Sequence, residues 1–160
     1  ALPILVNRVL GRARNYFRLI SFRIMDSVFT DNADPFTEAT VMLRVGGVIE
    51  HTASAGKGPV NAMDTALRKG LERFYPNLNE MKLMDFKVRV LAGTITEDGH
   101  CGTASVVRVL IESGDHKSRW TTVGVSYNII EASRQALEDS INYKLFKDDQ
   151  KKLTQAIRNI

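Results

Sequence analysis

The order of apolar and polar side chains along the chain describes the same set of elements twice. From residue 85 to 91, apolar and charged side chains alternate, which predicts a strand with one apolar face. That face holds Phe86, Val88 and Val90. Between Val60 and Phe74 an apolar residue recurs every three or four positions, which predicts an amphipathic helix. We therefore expect strands and a helix in each half of the chain.

Turn and cap residues divide the chain into elements. Gly46-Gly47 between two valines is a strong hairpin signal, because glycine readily adopts positive φ. Pro59 and Asn128 are typical of helix starts, and Pro76 ends the first of these two helices. The predicted strands span 17–29, 40–45, 48–54, 85–91, 103–112 and 120–126. A short helix is predicted at 2–10, and the tail from 147 to 160 is predicted as a polar helical extension.

Short segments recur at a constant spacing, which indicates an internal duplication. Phe22-Arg23-Ile24 recurs as Phe86-Lys87-Val88, 64 residues later (22 to 86), and Leu43-Arg44-Val45 recurs as Val107-Arg108-Val109. The helices match 70 residues apart: Ala62, Ala66 and Leu67 against Ala132, Ala136 and Leu137. A six-residue insertion reconciles the two spacings, and we place it at 113–118, where a longer loop replaces the Gly-Gly turn. The sequence thus predicts an α+β fold of two pseudo-symmetric βββα repeats with a short N-terminal linker helix, whose seam suits a small ligand or a second subunit.

Composition narrows the class of protein. The chain has 160 residues, 44% of them hydrophobic, which is enough for one core or for two half-cores that share a seam. Its formal net charge is +4, but acidic and basic residues are interspersed, as on a mixed solvated surface. The single cysteine, Cys101, excludes an intramolecular disulfide and favours a reducing compartment. No apolar run could span a membrane, no signal peptide is apparent, and we expect a piece of a longer cytoplasmic polypeptide.

Motifs for catalysis and metal binding are missing from the sequence. The three histidines, His51, His100 and His116, are not spaced like metal ligands, and no nucleophile elbow, phosphate loop or dinucleotide motif occurs. Gly56-Lys57-Gly58 before a helix could hold an anion on free backbone N–H groups, although a tight strand-to-helix turn explains the same residues. We therefore predict no catalytic residue and no metal site here, so the chemistry lies elsewhere or the function is binding.

Two kinds of binding module fit the pattern. One is a small-molecule sensing and dimerisation module, in which helix starts at Pro59 and Asn128 favour a carboxylate and Asp64 favours an amine. Asp64 is equally consistent with a solvent-facing helix residue. The other is a double-stranded-RNA-binding domain, which also runs helix, three strands, helix. That domain needs adjacent lysines at its last helix start, where Glu131 would instead repel phosphate, so this alternative is remote.

Three segments together resemble a known family. They are residues 51–64 (HTASAGKGPVNAMD), residues 85–91 (DFKVRVL), and the run from Gly102-Thr103-Ala104 through 108–112 to 120–133 (WTTVGVSYNIIEAS). They look like the C-terminal regulatory domain of the citramalate synthase and 2-isopropylmalate synthase family, and the resemblance covers about residues 17–146. The segment 58–62 and Tyr143-Lys144-Leu145 look more like the citramalate branch.

The resemblance implies a domain order and a function. Residues 1–15 would end a linker, 16–147 would form the regulatory domain with repeats at about 17–76 and 83–146, and 148–160 would be a C-terminal tail. The parent enzymes are acyltransferases that condense acetyl-CoA with a 2-oxo acid, using a divalent metal in a separate catalytic TIM barrel. This fragment would be no enzyme and would hold no cofactor. It would form a homodimer and bind isoleucine, or alternatively leucine in a 2-isopropylmalate synthase, for feedback inhibition, with no nucleic-acid or membrane partner.

The resemblance also implies an effector site, which lies between the first helix, the strand that opens the second repeat and the start of the last helix. Asp64 would be the ammonium partner of the effector. Apolar walls would come from Leu83, Phe86, Val90, and Ala104 or the nearby Val106. The helix start would close the site with Tyr127, Asn128 and Ile129.

Overall fold

Two three-stranded antiparallel sheets, each followed by a helix, make up the computed structural model, which describes residues 15–31, 33–91 and 105–160. The first unit consists of β1 (Arg18–Ser27), β2 (Phe36–Val45), β3 (Val48–Gly56) and α1 (Pro59–Leu71). A short 3₁₀ helix (Pro76–Glu80) leads to β4 (Lys82–Val90), β5 (Val107–Gly114), β6 (Arg119–Ser126) and α2 (Ile129–Arg158). The predicted α+β fold of two βββα repeats is confirmed. The predicted helix at 2–10 lies outside the described residues.

Alternating side chains of the central strands form the core with one face of each helix. In the first sheet the buried positions of β2 include Ala39, Val41 and Leu43, and the predicted apolar stripe of α1 covers them. Four members of that stripe are buried: Val60, Met63, Leu67 and Leu71. The fifth, Phe74, is half-buried and lies beyond the helix, because α1 ends at Leu71 rather than at the predicted Pro76.

Equivalent hydrogen bonds show the duplication at the level of single atoms. The Thr52 hydroxyl donates to the carbonyl oxygen of Ala66 at 2.9 Å, and the Thr122 hydroxyl donates to that of Ala136 at 2.7 Å. The two threonines lie 70 residues apart (52 to 122), and so do the two alanines (66 to 136). Each bond ties the last strand of a sheet to the helix that follows it, so the two units pack sheet against helix in the same way.

The extra six residues of the second repeat lie between β4 and β5, and the predicted insertion at 113–118 is wrong. Phe22 pairs with Val41 and Phe86 pairs with Ile111, so β2 and β5 are related by 70 residues (41 to 111). The turn before β6 is as short as the Gly-Gly turn, since the Asp115 N–H donates to the Ser118 carbonyl at 3.0 Å. A misalignment by six, an even number, keeps every side chain on its face, so alternation alone could not detect it.

A largely buried cluster of charged side chains joins α2 to the 3₁₀ helix and to the turn before β6. The Lys144 ammonium lies 2.8 Å from Asp115, 2.9 Å from Glu80 and 2.9 Å from Asp148. Asp115 also accepts the backbone N–H groups of Lys117 and Ser118, which fixes the turn before β6. The cluster therefore holds the 3₁₀ helix, this turn and α2 together.

The polar tail continues α2 to Arg158 without a break, as the predicted helical extension requires. The predicted domain boundary at 147–148 accordingly falls inside this helix. Within the described residues, no helix combines the length and the hydropathy that crossing a lipid bilayer requires.

Candidate functional site

The starts of both helices and the strand β4 surround a cavity of about 460 Å³. The first helix contributes the segment 57–61, and β4 contributes Leu83 and Phe86. The second helix contributes Ile129, Ile130 and Ser133. The two helix starts are equivalent positions of the duplication, because each helix begins directly after the last strand of its own sheet.

The apolar wall of the cavity comes from β4, and within the described residues no helix covers the inner face of this strand. Phe86 pairs with Ile111 and Val88 pairs with Val109, so these side chains lie on the helix-facing side of the sheet, as the alternation predicts. The helix α2 packs on β5 and β6 but does not reach across β4. Phe86 consequently stays 47% exposed, and Val88 and Val90 are exposed as well. An uncovered apolar row on an edge strand is the kind of surface that a ligand or a second chain covers.

The start of α1 leaves backbone donors open toward this cavity. Its N-cap is Gly58, which supplies no side-chain acceptor, and Pro59 has no N–H. Among the described residues the N–H groups of Val60 and Asn61 have no acceptor. A helix start with open N–H groups carries a positive partial charge and favours a carboxylate.

The start of α2, in contrast, is closed by its own cap. As predicted, Asn128 caps this helix: its side-chain oxygen accepts the N–H groups of Ile130 at 2.8 Å and Glu131 at 3.3 Å. Of the two helix starts that the duplication creates, α1 therefore leaves more donors to an anion: the N–H groups of Val60 and Asn61, against that of Ile129 alone in α2, among the described residues.

Asp64 lies one helical turn after Val60 and is 1% exposed. One of its oxygens is 2.6 Å from the Arg68 guanidinium, which also donates to the carbonyl oxygen of Met81 at 2.7 Å. The other oxygen, Oδ1, has no hydrogen-bond partner among the described residues. Burial raises the pKa of Asp64, and the neighbouring Arg68 only partly offsets that increase. Asp64 thus braces α1 toward the segment before β4 and does not line the cavity.

The structure brings together some of the predicted effector residues and separates others. Leu83, Phe86 and Ile129 line one cavity, and Asn128 caps the helix start beside it. Val90 lies on the same face as Phe86 but four residues along the strand, about 13 Å away. Tyr127 precedes the cap and points largely into solvent, and Ala104 lies outside the described residues.

The segment 57–61 and the residues Ile130 and Ser133 line the cavity but were not among the predicted effector residues. The Gly-Lys-Gly turn did mark the first of these segments as a possible anion site. Within the described part of the chain, no three His, Cys, Asp or Glu side chains group as metal ligands would. The site places an apolar wall beside open backbone N–H donors, an arrangement suited to binding a small ligand that has an apolar part and an anionic group.

Comparison with known proteins identifies relatives of this chain. The model of the family described as LeuA allosteric (dimerisation) domain matches residues 1–145. An (R)-citramalate synthase of Geobacter sulfurreducens is 57% identical over 148 residues, covering 92% of this chain and 27% of the relative. An (R)-citramalate synthase of Aquifex aeolicus is 51% identical, covering 94% and 27%. A 2-isopropylmalate synthase of Shewanella sp. (strain MR-7) is 26% identical, covering 72% and 19%. The chain thus spans about a quarter of the length of its first curated relatives.

Proposed function

This chain belongs to the family of LeuA allosteric (dimerisation) domains, and from that premise we propose that it is the isoleucine-sensing domain of a citramalate synthase. Relatives with that name share far more residues with it than the 2-isopropylmalate synthases do, which favours the citramalate branch. The parent enzyme would condense acetyl-CoA with a 2-oxo acid and would use a divalent metal. The substrates and the metal would be bound by a catalytic domain elsewhere in the parent chain. Isoleucine bound to this domain would inhibit that distant reaction.

The observation that carries the proposal is the cavity between the two helix starts. Its volume of about 460 Å³ lies within the range of small-ligand pockets. The open N–H groups of Val60 and Asn61 suit the effector carboxylate, and Leu83, Phe86 and Ile129 suit a branched apolar side chain. Burial of such a side chain contributes on the order of 1.5–3 kcal/mol. Because the inner face of β4 is uncovered, a second subunit of the homodimer would close the site from that side.

We expect calorimetry of the 160-residue chain to detect isoleucine binding, and the Phe86→Ala variant to weaken it at least about 10-fold. The loss follows from removing the aromatic wall that the branched side chain would contact. Val123→Ala is the matched control, because Val123 is 45% exposed in the second sheet and lies on the opposite face. Its affinity should stay within about twofold of wild type.

Leucine and valine titrations separate the alternatives. Tighter binding of leucine than of isoleucine would favour the alternative, a leucine-sensing domain of a 2-isopropylmalate synthase. No measurable heat and no thermal shift with any of the three amino acids would contradict the sensing proposal. The duplex-RNA alternative finds no support at the helix starts, because residues 57–61 offer one lysine and the α2 start offers Glu131.

Asp64 keeps a proposed role as the ammonium partner: its buried Oδ1 is unpaired among the described residues, and a small shift of α1 on binding would open it to the cavity that it lies behind. The Asp64→Asn variant should then bind isoleucine at least about 10-fold more weakly, because an amide cannot neutralise an ammonium group. Wild-type affinity for isoleucine should also decrease as the pH is lowered, because protonation of Asp64 removes the negative charge that binds the ammonium group. Since the pKa of Asp64 is raised, this loss should begin at a higher pH than for an ordinary carboxyl group. If Asp64→Asn lowers only the melting temperature and binds isoleucine normally, Asp64 is a structural brace for Arg68.

A further inference from the structure

The C-terminal half of α2 carries apolar side chains on a surface that the other described residues leave exposed. The family model matches this chain up to residue 145, so the segment 146–160 lies beyond the matched domain. In this segment Leu153 is 58% exposed and Ile157 is 72% exposed, and Ile160 is fully exposed. The rest of the segment is mostly charged or polar, so these apolar residues stand out as an interaction surface.

The spacing of these residues is that of a helix-pairing seam. Steps of four and three residues lead from Phe146 to Gln150, Leu153, Ile157 and Ile160. This is the a/d pattern of a heptad repeat: Gln150 and Ile157 take a positions, Phe146 and Leu153 take d positions, and Ile160 continues the spacing two residues beyond the helix end at Arg158. The part of α2 that packs on its own sheet uses Ile141, Lys144 and Leu145, which lie on the other side of the helix. Phe146 is partly buried against the core, and from Gln150 onward the seam faces away from the domain.

We propose that this segment pairs with the same segment of a second copy of the chain, as a parallel, in-register two-stranded coiled coil. The residue types at the seam support that occupant and that orientation. Within parallel coiled coils, a β-branched Ile157 at an a position with Leu153 at a d position favours two strands over three or four. Gln150 at the other a position would meet the same residue of the partner helix, and a polar pair at such a position fixes register.

Charge placement is compatible with this pairing. In a parallel pair each g position faces the next e position of the partner helix. Asp149 would then face the neutral Thr154, and Lys147 would face the neutral Asn142, so no like charges meet across the seam. Lys151 and Lys152 fall at outer positions, where they stay in water.

The segment is too short to hold two chains together without a further interface. The helical part of the segment, residues 146–158, is about 20 Å long, just under two heptads, which is too short to associate strongly alone. The family is one of dimerisation domains, so a second copy is bound next to this one and the pairing adds to that interface. The coiled coil would therefore fix how the two domains are oriented and slow their exchange.

Cysteine cross-linking tests the register directly. In the 160-residue chain with Cys101→Ser, Leu153→Cys should form a disulfide-linked dimer under mild oxidation at least 10 times faster than Gln155→Cys, which lies at the outer f position. Equal rates for the two variants would overturn the proposal. Faster cross-linking between Gln150→Cys and Leu153→Cys than of Leu153→Cys with itself would overturn the parallel register.

A second measurement does not depend on cysteine chemistry. The double variant Leu153→Asp/Ile157→Asp should exchange subunits between labelled and unlabelled dimers at least 10 times faster than the wild type. The matched control Lys152→Asp/Gln155→Asp places the same two aspartates on the outer face and should leave the exchange rate within about twofold. Because the seam is remote from the cavity, isoleucine binding should be unchanged in both variants. An unchanged exchange rate in the seam variant would refute the pairing.

Discussion

We expect the Gly124→Ala variant to be destabilised by about 3 kcal/mol or more, at the upper end of overpacking effects. A methyl group on Gly124 would lie 1.7 Å from the carbonyl oxygen of Ala132 and 3.1 Å from the backbone nitrogen of Ala136. Both atoms belong to the backbone of α2, so no side-chain rotation can relieve the clash. The helix would have to move away from β6 and lose the hydrogen bond from Thr122 to Ala136. Urea unfolding followed by circular dichroism measures the effect.

The matched control for this prediction is Gly47→Ala, where the added methyl group would meet no atom within 4 Å. Its free energy of unfolding should stay within about 0.5 kcal/mol of wild type. The position equivalent to Gly124 in the first unit is Ser54 (70 residues earlier), which already carries a Cβ. The close approach at this strand position is therefore specific to the second unit, and in the first unit the tight contact between strand and helix backbone lies at Gly56 instead. A Gly124→Ala chain as stable as Gly47→Ala would mean that α2 does not lie this close to β6.

Most of the fold could be predicted from the local order of apolar and polar residues, because the strands alternate regularly and each helix has an apolar stripe. The alternation in β4 and the stripe of α1 each specified which side chains share a face, and the paired strands follow that alternation. Gly46 adopts a φ of +59°, as the predicted Gly-Gly hairpin turn requires. These features depend on neighbouring residues alone, so a sequence can reveal them.

Distances between elements could not be predicted in the same way. Val90 and Phe86 share a face of β4, but only Phe86 reaches the helix starts, because the cavity occupies one end of the strand. Asp64 follows Val60 by one turn and so shares its face, yet Val60 lines the cavity and Asp64 is buried behind it. A periodic pattern gives the direction of a side chain and not its depth. The placement of the six-residue insertion failed for the related reason that two registers gave the same faces.

The ion cluster around Lys144 had no signal in the sequence, because its members come from three separate segments. Glu80 belongs to the 3₁₀ helix, Asp115 to the turn before β6 and Asp148 to α2. Only the folded chain brings them together. Their charges nevertheless govern one of the largest effects that we expect from a single substitution.

We expect Lys144→Met to destabilise the chain by about 3–5 kcal/mol, the range found when one partner of a buried ion pair is removed. Lys144 and Asp115 are each 1% exposed, and methionine keeps an unbranched stem as far as the ε position while removing the ammonium group. Among the described residues, Asp115 would then keep Lys147 as its one cationic partner. Hydrogen bonds from both lysines hold the pKa of Asp115 well below its usual range despite its burial, so the carboxylate stays charged and costly to leave unpaired. Urea unfolding at neutral pH measures the loss.

A double-mutant cycle with Asp115→Asn isolates the pair from the packing of the lysine stem. Asparagine keeps an oxygen that can accept the N–H groups of Lys117 and Ser118, so the turn before β6 should persist. If the charge pair causes the loss, Lys144→Met should cost much less in the Asp115→Asn background than in the wild type. Lys152→Met, on an exposed position of the same helix, should change stability by less than about 0.5 kcal/mol. Equal costs of Lys144→Met in both backgrounds would show that its aliphatic packing, rather than its charge, joins α2 to the turn.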